Sequence, residues 1–176
     1  LLNTILGSLS SSALPVVPNS YESIATVTVG SGGAASVTFS SIPADYTHLQ
    51  IRAFMVGGSY TTIRFNSDTT TSNYRNHWIT GNGSSVSSST NANNAYTPMS
   101  ASANGYADII DILDYANTNK YKTIRALEGY DNNGSGEVYL SSNLWMSTAA
   151  ISSIVFTPNS SMSQYSQFAL YGIKGA

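Results

Sequence analysis

Asp108, Asp111 and Asp114, in the run YADIIDILDY from Tyr106 to Tyr115, are the most concentrated carboxylates in the chain. Acidic groups gathered on one face could exchange protons with a substrate or hold a cation, so their placement decides whether catalysis is a reasonable expectation. On a helix the spacing of three would bring them together, with Ile109, Ile110, Ile112 and Leu113 filling much of the other side. The flanks point elsewhere. Gly105 precedes the run, NTNK follows it from Asn117 to Lys120, and the next stretch, YKTIRALEGY, alternates as a strand does. The sequence therefore predicts a hairpin of Tyr106–Ala116 with Tyr121–Tyr130. Successive side chains of a strand alternate, so Asp108, Ile110, Ile112 and Asp114 share one face, and Ile109, Asp111 and Leu113 the other. The carboxylates then do not converge. Lys120, Lys122 and Arg125 become their cross-strand partners, and the aspartates are expected as edge or solvent-facing charges that resist sheet-to-sheet aggregation.

Other reactive side chains give weaker patterns. His48 and His77 lie in different predicted strands with no HxH or HExxH neighbour, so neither marks a metal site. Serine is abundant, but there is no GxSxG elbow. Cysteine is absent, which removes disulfides, thiolate ligands and thiol nucleophiles. DNNGSGE, Asp131 to Glu137, has the composition of a calcium loop but half the length of an EF-hand; a hairpin turn explains its Asn and Gly residues equally well. No pair of carboxylates is designated for glycoside hydrolysis. The expectation is a protein without catalytic residues, metal or cofactor.

Composition narrows the partners. Only 9 % of residues are charged, against about 25 % in typical domains, so Ser, Thr, Asn, Gly and Tyr must cover the surface. With a formal net charge of −2 and seven Lys and Arg, no basic row exists to neutralise phosphates, which argues against nucleic acid and against an anionic membrane. No apolar run approaches the roughly 18 residues of a spanning helix. Twelve tyrosines, with Trp78 and Trp145, are suited to interfaces or to stacking on sugars, although the two tryptophans are first expected in the core.

The elements that must position these residues are short strands. Period-two alternation marks Tyr21–Val29, Ala35–Ser40, His48–Val56, Tyr60–Asn66, Tyr74–Thr80, Val138–Met146, Ile151–Thr157 and Gln167–Ile173, punctuated by Gly, Pro and Asn. GSGG, Gly30 to Gly33, is expected to close the first two runs into a hairpin. This is the pattern of an all-β antiparallel sandwich or barrel, occupying residues 20–176. The tract from Gly81 to Gly105 is too polar to form a core and reads as one long loop, either a contact surface or a mobile flap; Tyr96 and Met99 are its candidate contact residues.

Residues 1–19 read as an arm. Leu2, Ile5, Leu6 and Leu9 recur at i, i+3, i+4 and i+7, a stripe too short to be helical alone and in need of a surface to bury it. Leu14 adds a further apolar contact before Pro15 and Pro18, which stiffen an extended connector. The arm is expected to dock on a neighbouring subunit, the alternative being a frayed tail or an arm folded back on its own domain. It lacks a basic n-region, so a signal peptide fits poorly, and the absence of an initial Met suggests either processing or a first residue that lies before Leu1.

From about Tyr21 onward the chain resembles a group of small virion proteins of tailed bacteriophages. The resemblance is carried by SYESIATVTVGSGGAASVTFSSIPADYTHLQIR, IDILDYANTNKYKTIR, LWMSTAAISSIVF and FALYGIKG. It implies a jelly-roll-like β-sandwich without enzymatic activity, assembled in a virion, often as a trimer. The leading expectation is a capsid decoration or cement protein on the outer surface of the particle, in contact with the major capsid protein. The alternative is a tail-associated or receptor-binding domain that recognises a host-surface glycan.

Overall fold

The computed structural model describes residues 20–58, 60–92, 96–97 and 104–175. They form an antiparallel β-sandwich. Its strands are β1 (Tyr21–Thr28), β2 (Val37–Phe39), β3 (His48–Met55), β4 (Thr61–Phe65), β5 (Tyr74–Gly81), β6 (Val86–Ala92), β7 (Tyr96–Thr97), β8 (Tyr106–Leu113), β9 (Lys122–Asp131), β10 (Gly136–Trp145), β11 (Ile154–Thr157) and β12 (Gln167–Ile173). All but β6 and β7 coincide with runs legible from alternation.

One sheet has eight strands in the order β1-β12-β3-β8-β9-β10-β5-β6, and the other four in the order β2-β11-β4-β7. Among the described residues consecutive strands pair only at β5–β6, β8–β9 and β9–β10; every other connection carries the chain from one sheet to the other. The hairpin expected at GSGG is one of these crossings: β1 pairs with β12, and β2 with β11. Alternation identified both strands correctly, but a Gly-rich turn allows a reversal without choosing its partner. Here Ala34 bridges Met162, and a side chain on Gly33, at φ +70°, would meet the Met162 carbonyl oxygen at 2.8 Å.

The core lies between the sheets. Val37, Phe39, Ile63, Phe65, Ile154 and Phe156 of the smaller sheet face Leu49, Ile51, Met55, Ile110, Ile112, Phe168 and Leu170 of the larger one. The Phe156 ring packs 5.0 Å from Phe168 and the Phe65 ring 5.5 Å from Trp145. Period-two apolar residues on facing sheets bury together, each worth about 1.5–3 kcal/mol in full burial.

Gly81–Gly105 is not a single loop. β6 pairs with β5 along its length and β7 adds to the smaller sheet. VSSSTNA has no apolar alternation because β6 is an edge strand, ordered by its backbone bonds to β5. The turn before it is fixed by Asn82, whose Oδ1 accepts the amides of Ser84 and Ser85 at 3.0 and 2.9 Å.

Trp145 is core, as expected, and Asp68 holds it in place. One Asp68 oxygen accepts from the Trp145 indole and from the Asn73 side chain, both at 2.8 Å, and the other accepts the Thr70 amide at 2.9 Å. Burial alone would raise the Asp68 pKa, but the hydrogen bonds from Asn73, Trp145 and Thr70 outweigh it and hold it at about 2. A depressed carboxyl contributes stability above its unfolded value of about 4, which is lost as pH falls through about 2. Asp68→Ala, which strands the buried indole donor, should cost about 1–3 kcal/mol in urea denaturation at neutral pH, and the deficit should shrink on acidification towards pH 2.

Candidate interaction surface

The hairpin predicted around the aspartates is present: β8 pairs with β9 in the register Asp108↔Glu128, Ile110↔Ala126 and Ile112↔Ile124. The three aspartates have three different environments. Asp111 lies on the outer face of the larger sheet, accepting from the Gln50 side chain at 2.8 Å and standing 3.6 Å from the Arg125 guanidinium. Asp114 sits in the turn after β8 at φ +48°, paired with Lys120 and with His48 Nδ1 3.6 Å from its carboxylate. The Lys120 bond and charge hold its carboxyl below the ordinary range. Lys120 and Arg125 are thus the cross-strand partners expected of them. The charge of Lys122 also acts on Asp114, but its side chain is fully buried and its ammonium donates to the carbonyls of Asn117, Lys120 and Thr148.

Asp108 is neither edge nor solvent-facing. β8 is an interior strand, and Asp108 and Glu128 face each other in the core at 1 % and 3 % exposure. Among the described residues none of their four carboxylate oxygens has a hydrogen-bond partner. Burial pushes both carboxyls well above their ordinary range, and at Glu128 the neighbouring Asp108 adds repulsion. Sequence alternation had placed Asp108 on the face of Ile110 and Ile112; that this face is the core followed only from the sheet's position. A pair so enclosed holds a proton but offers no reacting group to a substrate.

The remaining reactive residues stay dispersed. His77 is on the outer face and His48 at the sheet's end. Among the described residues no three His, Asp or Glu side chains come within metal-binding distance of one another. Asp131–Gly136 is a hairpin turn between β9 and β10, with Asn133 at φ +58°, Gly134 at φ +114° and the Asn133 amide bonded to Asp131 Oδ1 at 2.7 Å.

The feature that sequence reading missed is the outer face of the larger sheet. Register aligns Ile109, Leu127, Leu140 and Ile79 in one row across β8, β9, β10 and β5. The next row holds Phe54, Val138 and Val86. All seven side chains are 41–72 % exposed. Phe54 is set by Gly105, where an added side chain would strike its ring at 2.5 Å. On the other side runs a polar row of Gln50, Asp111, Arg125, Ser142 and His77, so the band is apolar with a polar rim, and a shallow groove opens between Ile79, Leu140, Arg125 and His77. Contiguous exposed apolar surface of this kind marks an interaction site. Its only sequence signal was that YADIIDIL and EVYLSSNLW carry apolar residues on both faces.

Of the contact residues predicted from sequence, Leu2, Ile5, Leu6, Leu9, Leu14 and Met99 lie outside the described residues, and for Tyr96 the strand is described but the side chain is not. No protein-family model and no curated protein matches the chain.

The Asp108–Glu128 pair sets a pH dependence. In the unfolded chain both carboxyls ionise near pH 4, whereas the folded chain keeps its protons to higher pH. The native state then binds more protons, so this contribution to stability falls as pH rises from about 4. Glu128→Gln should therefore raise the melting temperature at pH 8 relative to the parent and have less effect at pH 4, as measured by circular dichroism melts.

Proposed function

We propose that this protein is a structural component of a bacteriophage virion, a decoration or cement protein that braces the outer shell against the major capsid protein. The observation that carries the reading is the apolar band on a sheet whose most enclosed carboxylates cannot reach a substrate: the surface is suited to being covered, and the reactive groups are not suited to turnover. An apolar strip rimmed by polar residues matches the anatomy of a protein interface. The low charge adds to this, since a chain held permanently against others has little need of charge repulsion. The strand orders support a jelly-roll reading. With the β5–β6 and β9–β10 hairpins set aside, β1-β12-β3-β8 and β2-β11-β4-β7 interleave as two Greek keys in a double sheet would. Assembly as a trimer belongs to the same reading.

A tail-associated, glycan-recognising domain is favoured by one observation. Tyr60 and Tyr165 are 53 % and 71 % exposed, and they lie on two connections joined by the Gly57–Met162 bridge. Quantitative mass spectrometry of purified particles separates the two roles. A shell protein should be present in copy number comparable to the major capsid protein. A copy number that is a small fraction of it would move the protein to the tail, and loss of host-glycan binding on Tyr60→Ala with Tyr165→Ala would then be expected.

A further inference from the structure

Four strands stand at sheet edges, β1 and β6 of the larger sheet and β2 and β7 of the smaller. An edge is a template for another strand unless charge, proline, a bulge or shortness blunts it. β1 carries Glu22, paired with Lys174 at 2.8 Å, and its register with β12 shifts between Ser23 and Ala25. β2 has three residues and β7 two. β6 has seven, VSSSTNA, with neither charge nor proline, and it pairs with β5 without a shift. Among the described residues it is the edge left unblunted, and Val86 to Thr90 are exposed along it.

The hydrogen bonds around β5 fix which backbone groups of β6 are free. In an antiparallel ladder alternate residues turn their amide and carbonyl to one neighbour and the residues between them to the other. The Asn73 carbonyl accepts from the Met146 amide, in line with the β5–β10 ladder, so Arg75, His77 and Ile79 serve β10. Asn76, Trp78 and Thr80 then serve β6, where they stand opposite Asn91, Ser89 and Ser87. Two further bonds agree: the Thr90 hydroxyl donates to the Asn76 carbonyl at 3.0 Å, and the Asn82 amide to the Ser85 carbonyl at 3.2 Å. Val86, Ser88, Thr90 and Ala92 therefore direct their amides and carbonyls away from β5, along an edge where no described strand lies.

That edge is complementary to itself. Laid antiparallel to a second β6 about Ser89, it sets Ser88 opposite Thr90, Ser87 opposite Asn91 and Val86 opposite Ala92. Both members of the first and last of these pairs direct their backbone groups to the edge, so every free amide and carbonyl of one strand meets one of the other. A register shifted by one residue would set an edge-directed residue against one turned to β5, and a shift of two would leave groups at an end unpaired. Hydroxyl faces hydroxyl or amide, which suits cross-strand bonding, and no like charges meet.

We infer that β6 is a pairing edge, joined antiparallel to β6 of a second copy of this chain about a twofold axis through Ser89. The contact is isologous, the same patch serving both copies. Its axis stands perpendicular to the sheet, so the two larger sheets continue into one another with their outer faces on the same side. Each apolar band stays open, and the inference goes beyond the shell reading by linking copies through a different surface. One strand pair is smaller than the about 800 Å² per partner of a stable complex, so the link forms where copies are held close together.

The absence of cysteine makes a cross-linking test specific. Opposed residues at the axis lie about 4.5 Å apart between Cα atoms, within the disulfide range of roughly 4.4–6.8 Å. Ser89→Cys protein, and a mixture of Ser88→Cys with Thr90→Cys protein, are oxidised mildly at high concentration, with Ser31→Cys on the exposed Gly30–Gly33 turn as control. Ser88→Pro is then added to Ser89→Cys: it removes an edge-directed amide and leaves the bonds to β5, as proline on an outward-facing edge position does. Circular dichroism checks that each variant is folded. Disulfides joining position 89 to 89, and 88 to 90, of different chains are expected by peptide mass spectrometry at several-fold the control yield, the former falling to control level with Ser88→Pro. A yield unchanged by a folded Ser88→Pro variant would overturn the pairing. Control-level yields at both positions would overturn it too; amide exchange of Ser88 and Thr90 in the parent then tells an edge covered by its own chain, with both amides protected, from a bare one. Copy number in particles is independent of these outcomes, so failure of the virion reading and failure of the pairing are separable.

Discussion

Eight strands at roughly 4.8 Å spacing make a sheet about 38 Å wide, while the four strands opposite make one about 19 Å wide, so among the described residues the smaller sheet spans about half the width of the larger. The covered half builds the core: β12, β3 and β8 turn Phe168, Leu170, Leu49, Ile51, Ile110 and Ile112 towards Phe39, Phe65 and Phe156. Beyond β9 the inner positions become polar. After Trp145 and Tyr74, which still pack on Phe65, β10 and β5 present Asn143, Ser141 and Asn76 inward. These three are buried and bond to one another, Asn76 donating to Asn143 and Asn143 to the Ser141 hydroxyl. Apolar residues of the same strands, Leu140, Ile79 and Val138, face outward instead. The extension thus inverts the usual polarity of a sandwich strand, and its exposed apolar band is a consequence of that inversion.

Asp108 and Glu128 mark the boundary between the two halves. They lie on β8 and β9, where the apolar core gives way to the polar inner face, and among the described residues no cation pairs with them. Removing two carboxylates from water without partners is expensive, and proteins commonly meet that cost by raising the pKa until the groups are neutral. Glu128 and Asp108 are therefore best understood as proton-holding core groups. Asp111 and Asp114, which do have cations and solvent, are the charged members of the run.

The same constraint bears on function. β5, β9 and β10 bury Tyr74, Ile124, Ala126 and Trp145 inward while leaving Ile79, Leu127, Leu140 and Val138 exposed outward. The extension is intelligible if its outer face is covered in an assembly, and the paucity of charge around it removes the electrostatic penalty for bringing copies together. Tyr21, Tyr171 and Arg52, stacked on the same face near β1, continue it as a firm platform.

The sequence by itself determined the all-β class, most strand positions and the hairpin that keeps Asp108, Asp111 and Asp114 apart, because alternation and turn residues are local and the side-chain period of two is strict. It also placed Lys120 and Arg125 beside the aspartates, a relation spanning a single turn. Strand partnership was decided only by the tertiary structure: GSGG reverses the chain in any of several directions, and β1 lies beside β12 because their apolar faces complete one core. β6 was hidden for the same reason, its order coming from β5's backbone and not from its own side chains. Burial of Asp108 depends on strands far apart in the chain flanking β8, and the apolar band on four separate strands coming into register. No local rule carries that information, since a row across a sheet is adjacent in space and scattered in sequence.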